Sequence, residues 1–169
     1  MLDKLITSKT RLNLLIKFFI NITNESYLNS LASEFGESTN SVRRELNNLH
    51  SAGYLVKKKI DNKVIYSANK YHPFFNILQS IIKKHLGIEK IVVDIVDKIG
   101  NIESLVVLGD YAVGIDSGCI DLLIIGKNIN IEYLEILCPK IEKKIKRKIN
   151  FMVSTKFNSD KGLVVFDSK

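Results

Sequence analysis

Arg43, Arg44 and Asn47 lie close together in the run Ser-Thr-Asn-Ser-Val-Arg-Arg-Glu-Leu-Asn-Asn at 38–48. An arginine can donate two hydrogen bonds to the edge of guanine, and an asparagine can pair twice with adenine. Serine and asparagine also hold phosphate oxygens, which fixes register on a duplex. Asn40, Ser41, Arg43, Arg44, Asn47 and Asn48 therefore make a candidate base-reading set. Glu45 is the one acid among them, whereas a helix face that merely meets water usually mixes Glu with Lys. Downstream, Lys57, Lys58, Lys59 and Lys63 can follow a phosphate backbone and supply the salt-dependent part of affinity. A solvated edge strand guarded by lysines against aggregation would use the same residues.

Helices and a hairpin must position these groups. Leu12, Leu15, Ile16, Phe19 and Ile20 recur at three- and four-residue spacing, which predicts a helix over 8–22. Asn21–Ser26 is polar and breaks it. Leu28, Leu31, Ala32 and Phe35 predict a short helix over 27–35, closed by Gly36. Ser38 can cap a third helix, with Val42, Leu46 and Leu49 as its buried stripe and Gly53 as its stop. Tyr54–Lys59 and Val64–Ala68 read as strands joined by the polar turn Ile60-Asp61-Asn62-Lys63.

The stretch YLNSLASEFGESTNSVRRELNNLHSAGYLVKKKIDNKVIYSANKYHPFF resembles the winged helix domains of ArsR-type regulators. Ser-Val-Arg-Arg-Glu-Leu-Asn matches the recognition helix, and Ala-Gly-Tyr-Leu matches its exit. The resemblance covers about residues 8–75 and implies a DNA-binding fold. Asn40, Ser41, Arg43, Arg44 and Asn47 would face the major groove, and the wing lysines would flank it. No cysteine lies in this half, so a thiol-based metal sensor is not implied.

The second half changes period. After Pro73, Phe74, Ile77, Leu78, Ile81, Ile82 and Leu86 predict one helix. Gly87 interrupts it, and Ile91, Ile95 and Ile99 predict a second, ended by Gly100-Asn101. Leu105–Leu108, Ile120–Ile125, Ile149–Val153 and Leu163–Phe166 read as strands, with a helix over Ile131–Lys148 carrying Leu134, Leu137, Ile141 and Ile145 inward. That is a small α/β layout.

The run SLVVLGDYAVGIDSGCIDLLIIG resembles the minimal nucleotidyltransferase signature: a strand, Gly-Ser, a loop with Ala and Gly, then Asp-x-Asp on the next strand. Carboxylates in that family hold divalent metals around a phosphoryl group. Gly109, Ala112 and Gly114 fit the pattern. Asp110 replaces the serine, Cys119 replaces the first metal aspartate, Asp121 keeps the second, and Asn150 stands where a third carboxylate belongs. A thiol and an amide are poor magnesium ligands. The resemblance thus implies a degenerate cleft lined by Gly109, Asp110, Tyr111, Gly114, Cys119, Asp121 and Asn150, with no nucleotidyl transfer. It leaves effector binding, dimerisation or partner contact as its role. Asp110, Asp116 and Asp121 form the alternative acidic cluster. Lys143, Lys144, Lys146, Arg147 and Lys148 read as the exposed end of an amphipathic helix, where cations favour the helix dipole. A second nucleic-acid patch is the sharper alternative.

The charge distribution agrees with this division. Residues 1–70 carry 11 Lys and Arg against 6 Asp and Glu, and residues 71–169 carry 14 against 12, so most of the net +7 is N-terminal. Hydrophobic residues make up 46%, which argues against global disorder. Apolar runs fall short of the roughly 18–20 residues that span a bilayer, and Met1–Thr10 lacks a signal-peptide layout. Cys119 and Cys138 read as reduced thiols. His50, His72 and His85 lack metal-ligand spacing. The expectation is a cytoplasmic, bacterial, two-domain protein of mixed α+β and α/β class. A winged helix-turn-helix (1–72), connecting helices (73–100) and a nucleotidyltransferase-like α/β domain (101–169) follow in order. Duplex DNA is the expected partner, and a homodimer would match a two-fold operator. A small effector or protein partner remains open, and no metal, cofactor or membrane is expected. The rival classes are an active nucleotidyltransferase of toxin–antitoxin type and a protein-interaction module.

Overall fold

The computed structural model describes residues 2–99, 101–156 and 162–168. Gly100, expected to end the second connecting helix, lies outside the described residues. The chain divides into two compact units, Met1–Ile82 and Lys83–Lys169. Both mix helices with a small sheet.

In the first unit a short 3-10 turn, Leu2–Lys4, precedes α1 (Lys9–Ile20). The Ser8 hydroxyl accepts the Arg11 amide at 3.2 Å, satisfying one of the unpaired N–H groups that begin every helix. Then come β1 (Glu25–Tyr27), α2 (Leu28–Phe35), α3 (Thr39–Ser51), β2 (Leu55–Ile60) and β3 (Lys63–Ala68). Ser38 caps α3 as expected, its Oγ accepting the Ser41 amide at 3.2 Å. Leu14, Phe18, Leu31, Val42 and Leu46 are fully buried, and packing a leucine this way contributes about 2 kcal/mol.

The sheet order is β1-β3-β2, antiparallel throughout. β1 corrects the reading of 21–26 as a plain polar break. Glu25, Ser26 and Tyr27 pair with Ser67, Tyr66 and Ile65 through the backbone. The expected hairpin is present, and Asp61 turns it with φ +52, a region that aspartate tolerates better than most residues.

The division between units falls inside α4 (Phe75–Leu86). The Phe75 ring lies 5.6 Å from that of Phe19, so the helix begins as part of the first core. Of the stretch 73–100, residues up to Ile82 fall in the first unit and those from Lys83 in the second. α5 (Ile88–Ile99) belongs to the second unit and packs on its sheet and on α7.

That unit continues with β4 (Ile102–Leu108), α6 (Gly109–Ala112), β5 (Cys119–Gly126), α7 (Ile131–Ile145), β6 (Lys148–Ser154) and β7 (Leu163–Asp167). The order is β6-β5-β4-β7, with β5 and β6 parallel and the other pairs antiparallel. Leu105, Val107, Ile120, Leu122 and Ile124 share one face by register and are fully buried. Val106, Leu123 and Ile125 form a small cluster on the other, which is why these strands read as unbroken apolar runs. α7 ends at Ile145, three residues short of the expected Lys148. Lys146 takes φ +58, and Lys148 already pairs with Cys119 in the sheet. Among the described residues, no helix is long and apolar enough to cross a membrane.

Candidate nucleic-acid interface and second-unit cleft

A helix turns 100° per residue, so burying Val42, Leu46 and Leu49 leaves Asn40, Arg43, Arg44 and Asn47 on the solvent side of α3. All four are exposed. Asn48 is exposed too. Ser41 departs from the expected set. It is half-buried, and its hydroxyl meets that of Thr10 at 3.1 Å, so it holds α1 against α3.

Glu45 is the largest surprise on this helix. Only 3% of it is exposed. Oε1 accepts the Ser8 hydroxyl at 2.9 Å and Oε2 accepts Arg11 Nε at 2.8 Å. Burial alone would raise its pKa, but the hydrogen bonds from Arg11 and Ser8 outweigh burial and hold the carboxyl below its usual value. The one acid of the segment is thereby withdrawn from the outward face. Its position three residues after Val42 and four before Leu49 carried that signal.

The hairpin lysines do not act as one group. Strand side chains alternate between faces. Register places Lys57 and Lys59 on the face that buries Leu55, Tyr66 and Ala68. Lys58 and Lys63 emerge on the opposite face, where Lys63 Nζ stands 5.2 Å from the Tyr27 ring centroid, a cation–π contact.

In the second unit, Asp121 and Asn150 are register partners on β5 and β6. The Asn150 amide donates to Asp121 Oδ1 at 3.0 Å and to Cys119 Sγ at 3.2 Å. Gly109 adopts φ +59, and a Cβ there would lie 2.9 Å from Asp121 Oδ2, so glycine lets the carboxylate sit against the backbone. Asp110 is exposed on α6. This donor set does not fit divalent metals, which need several anionic oxygens. Of positions 119, 121 and 150 only Asp121 carries a carboxylate, and a neutral amide already satisfies one of its oxygens.

Tyr111 and Gly114 are not cleft residues. Tyr111 is fully buried, and its hydroxyl donates to Asp116 and accepts the Gly118 amide at 3.3 Å. Gly114 is buried, and its amide donates to Tyr111 O at 3.2 Å. The alternative acidic cluster does not assemble, because Asp116 is engaged elsewhere. Arg147 Nε donates to Asp116 Oδ1 at 2.9 Å and Nη2 to Oδ2 at 2.5 Å, a bidentate pair. Burial opposes the charged form of Asp116, yet the Arg147 and Tyr111 hydrogen bonds hold its pKa below the usual carboxylate range. Among the described residues, no group of three or more His, Cys, Asp or Glu could hold a metal.

Arg147 is thus a structural residue rather than an exposed helix-end cation: its side chain is 13% exposed and also donates to Ile145 O at 3.0 Å. Nothing in the spacing of residues 116 and 147 announced this pair. A cavity of about 430 Å³ lies beside Gly118, Pro139, Glu142, Lys143 and Arg147, apart from Gly109, Asp110 and Asp121. Cys138 is buried, and burial pushes its thiol pKa up to about 11, which makes it inert. Compared with known proteins, the chain matches no family model, no curated protein and no solved structure.

Proposed function

We propose that the first unit is a winged helix-turn-helix that binds duplex DNA, and that the protein is a transcription regulator. The observation that carries this reading is the segregation on α3. Val42, Leu46 and Leu49 are buried, Glu45 is tucked against α1, and Asn40, Arg43, Arg44 and Asn47 are left facing solvent. An outward face of amides and guanidinium groups, free of acids, suits base edges and phosphates alike. Lys57 and Lys59 extend the positive surface from the adjoining strand.

On this reading Arg43, Arg44 and Asn47 choose bases, while the lysines supply affinity. A homodimer would present two copies of α3 to a two-fold site. The second unit serves effector sensing or assembly rather than nucleotidyl transfer. The pairing of Asp121 with Asn150 supports that assignment, since an amide stands where a metal reaction needs a further anion.

Titration of duplex DNA with the full chain at rising salt tests the proposal. Binding that weakens steeply with salt, and that drops at least tenfold in the Arg43→Ala/Arg44→Ala variant, is the expected outcome. Equal binding by both proteins would overturn the assignment of α3.

A further inference from the structure

Sequence reading placed the basic surface on α3 and the hairpin. The structure adds a second arm. Three side-chain contacts seat the start of α1 along one flank of α3: Ser8 to Glu45 at 2.9 Å, Thr10 to Ser41 at 3.1 Å and Arg11 to Glu45 at 2.8 Å. The hairpin begins on the other flank, where His50 Nδ1 meets Leu55 O at 3.0 Å. At 100° per residue, Ser41 and Glu45 lie on one side of the Arg44 direction and His50 on the other.

Lys9 sits between Ser8 and Thr10 and is exposed, and Lys4 is exposed on the 3-10 turn that packs against α1. Glu45, the acid that contacts the start of α1, is buried and paired with Arg11. Residues 1–11 carry Lys4, Lys9 and Arg11 against Asp3, so this segment is net cationic.

We infer that Lys4 and Lys9 form a second phosphate-binding arm, so that duplex DNA is gripped on both sides of α3. This rests on the proposed DNA-binding role of the first unit. The geometry is restrictive: a helix with side chains is about 10–12 Å across and the major groove about 12 Å wide, so each flank of an inserted helix meets its own sugar–phosphate strand. The hairpin's Lys57 and Lys59 meet one strand, and the α1 arm meets the other.

The test is the salt dependence of affinity for a duplex of arbitrary sequence, measured with the full chain. Lys4→Ala/Lys9→Ala should flatten the slope by about 0.9 per lost contact, so that the loss of affinity between about 50 and 200 mM salt becomes roughly tenfold smaller. The decline should be the same for every sequence. Lys4→Arg/Lys9→Arg should keep the wild-type slope, and Lys127→Ala/Lys140→Ala, in the second unit, should leave it unchanged. A wild-type slope in the alanine variant, an equal loss in the second-unit control, or a loss that arginine fails to rescue would each overturn the arm while leaving α3 as the reading element. Absence of binding by the wild-type chain would overturn the arm and the DNA-binding role together.

Discussion

Arg11 Nε stands 2.8 Å from Glu45 Oε2, and the other carboxylate oxygen takes the hydroxyl of Ser8, the residue that caps α1. One buried carboxylate thus couples the start of α1 to the middle of α3. It removes a negative charge from the proposed DNA-facing surface and fixes the angle of the helix that carries Arg44.

Loss of this group should cost stability before it costs chemistry. Glu45→Ala leaves the Ser8 hydroxyl and the Arg11 guanidinium without their acceptor, a loss of about 2–3 kcal/mol for hydrogen bonds to a charged group. Glu45→Gln keeps one acceptor and should lose less. Urea denaturation monitored by circular dichroism reads both. Equal midpoints for wild type and Glu45→Ala would mean that the contact carries no weight.

The same group sets an acid limit on stability. Glu45 and Asp116 both titrate below their usual values in the folded chain. The unfolded chain therefore takes up these protons first as pH falls. Their contribution is complete above about pH 5, begins to fade near the ordinary carboxylate values of about 4, and is gone below the folded values. Denaturation midpoints at a series of pH values should fall across that window. In Glu45→Gln the fall should be shallower. A parallel fall in both proteins would assign it to other carboxylates.

Asn150→Asp should replace an amide-to-carboxylate hydrogen bond with a like-charge pair with Asp121. Crowded carboxylates resist double ionisation, so the variant should melt lower at pH 7 and recover as pH drops and one proton is shared. Millimolar manganese should raise its melting temperature and leave that of the wild-type chain unmoved, because only the variant pairs two carboxylates across β5 and β6. Manganese stabilisation of the wild type would restore metal chemistry as a live role for this cleft.

Gly87→Ala addresses packing. A Cβ at this position would lie 2.5 Å from Ile145 Cγ2, and Gly87 has φ +81. Crowding and left-handed strain together should cost about 2–4 kcal/mol. A thermal melt unchanged by this substitution would show that α7 shifts to make room.

Strand alternation gives a finer prediction for the hairpin. Lys57→Ala/Lys59→Ala should flatten the salt dependence of DNA binding by nearly two slope units, and Lys58→Ala/Lys63→Ala should do less. Equal effects would mean that the hairpin meets DNA edge-on rather than through one face.

The helices were legible because apolar spacing reports burial directly: Val42, Leu46 and Leu49 are buried as their periodicity requires. The hairpin was legible from two β-rich runs around Asp61-Asn62. β1 was not, since three residues paired through backbone bonds leave no side-chain period to read. Glu45 could have been placed inward by the same wheel that placed Val42, but its charge argued for the surface. The Arg147–Asp116 pair was out of reach, because two charges 31 residues apart carry no local signal. Tyr111 looked like a cleft residue by motif position, and the loop that folds Asp116 onto its hydroxyl makes it core instead.

The most direct test of the central claim is enrichment of genomic DNA fragments by the 169-residue chain near physiological salt, run beside the Arg43→Ala/Arg44→Ala variant. The account predicts a small set of discrete sites, two-fold in sequence, that the variant fails to enrich. Enrichment of the same sites by both proteins, or of none by the wild type, would contradict it.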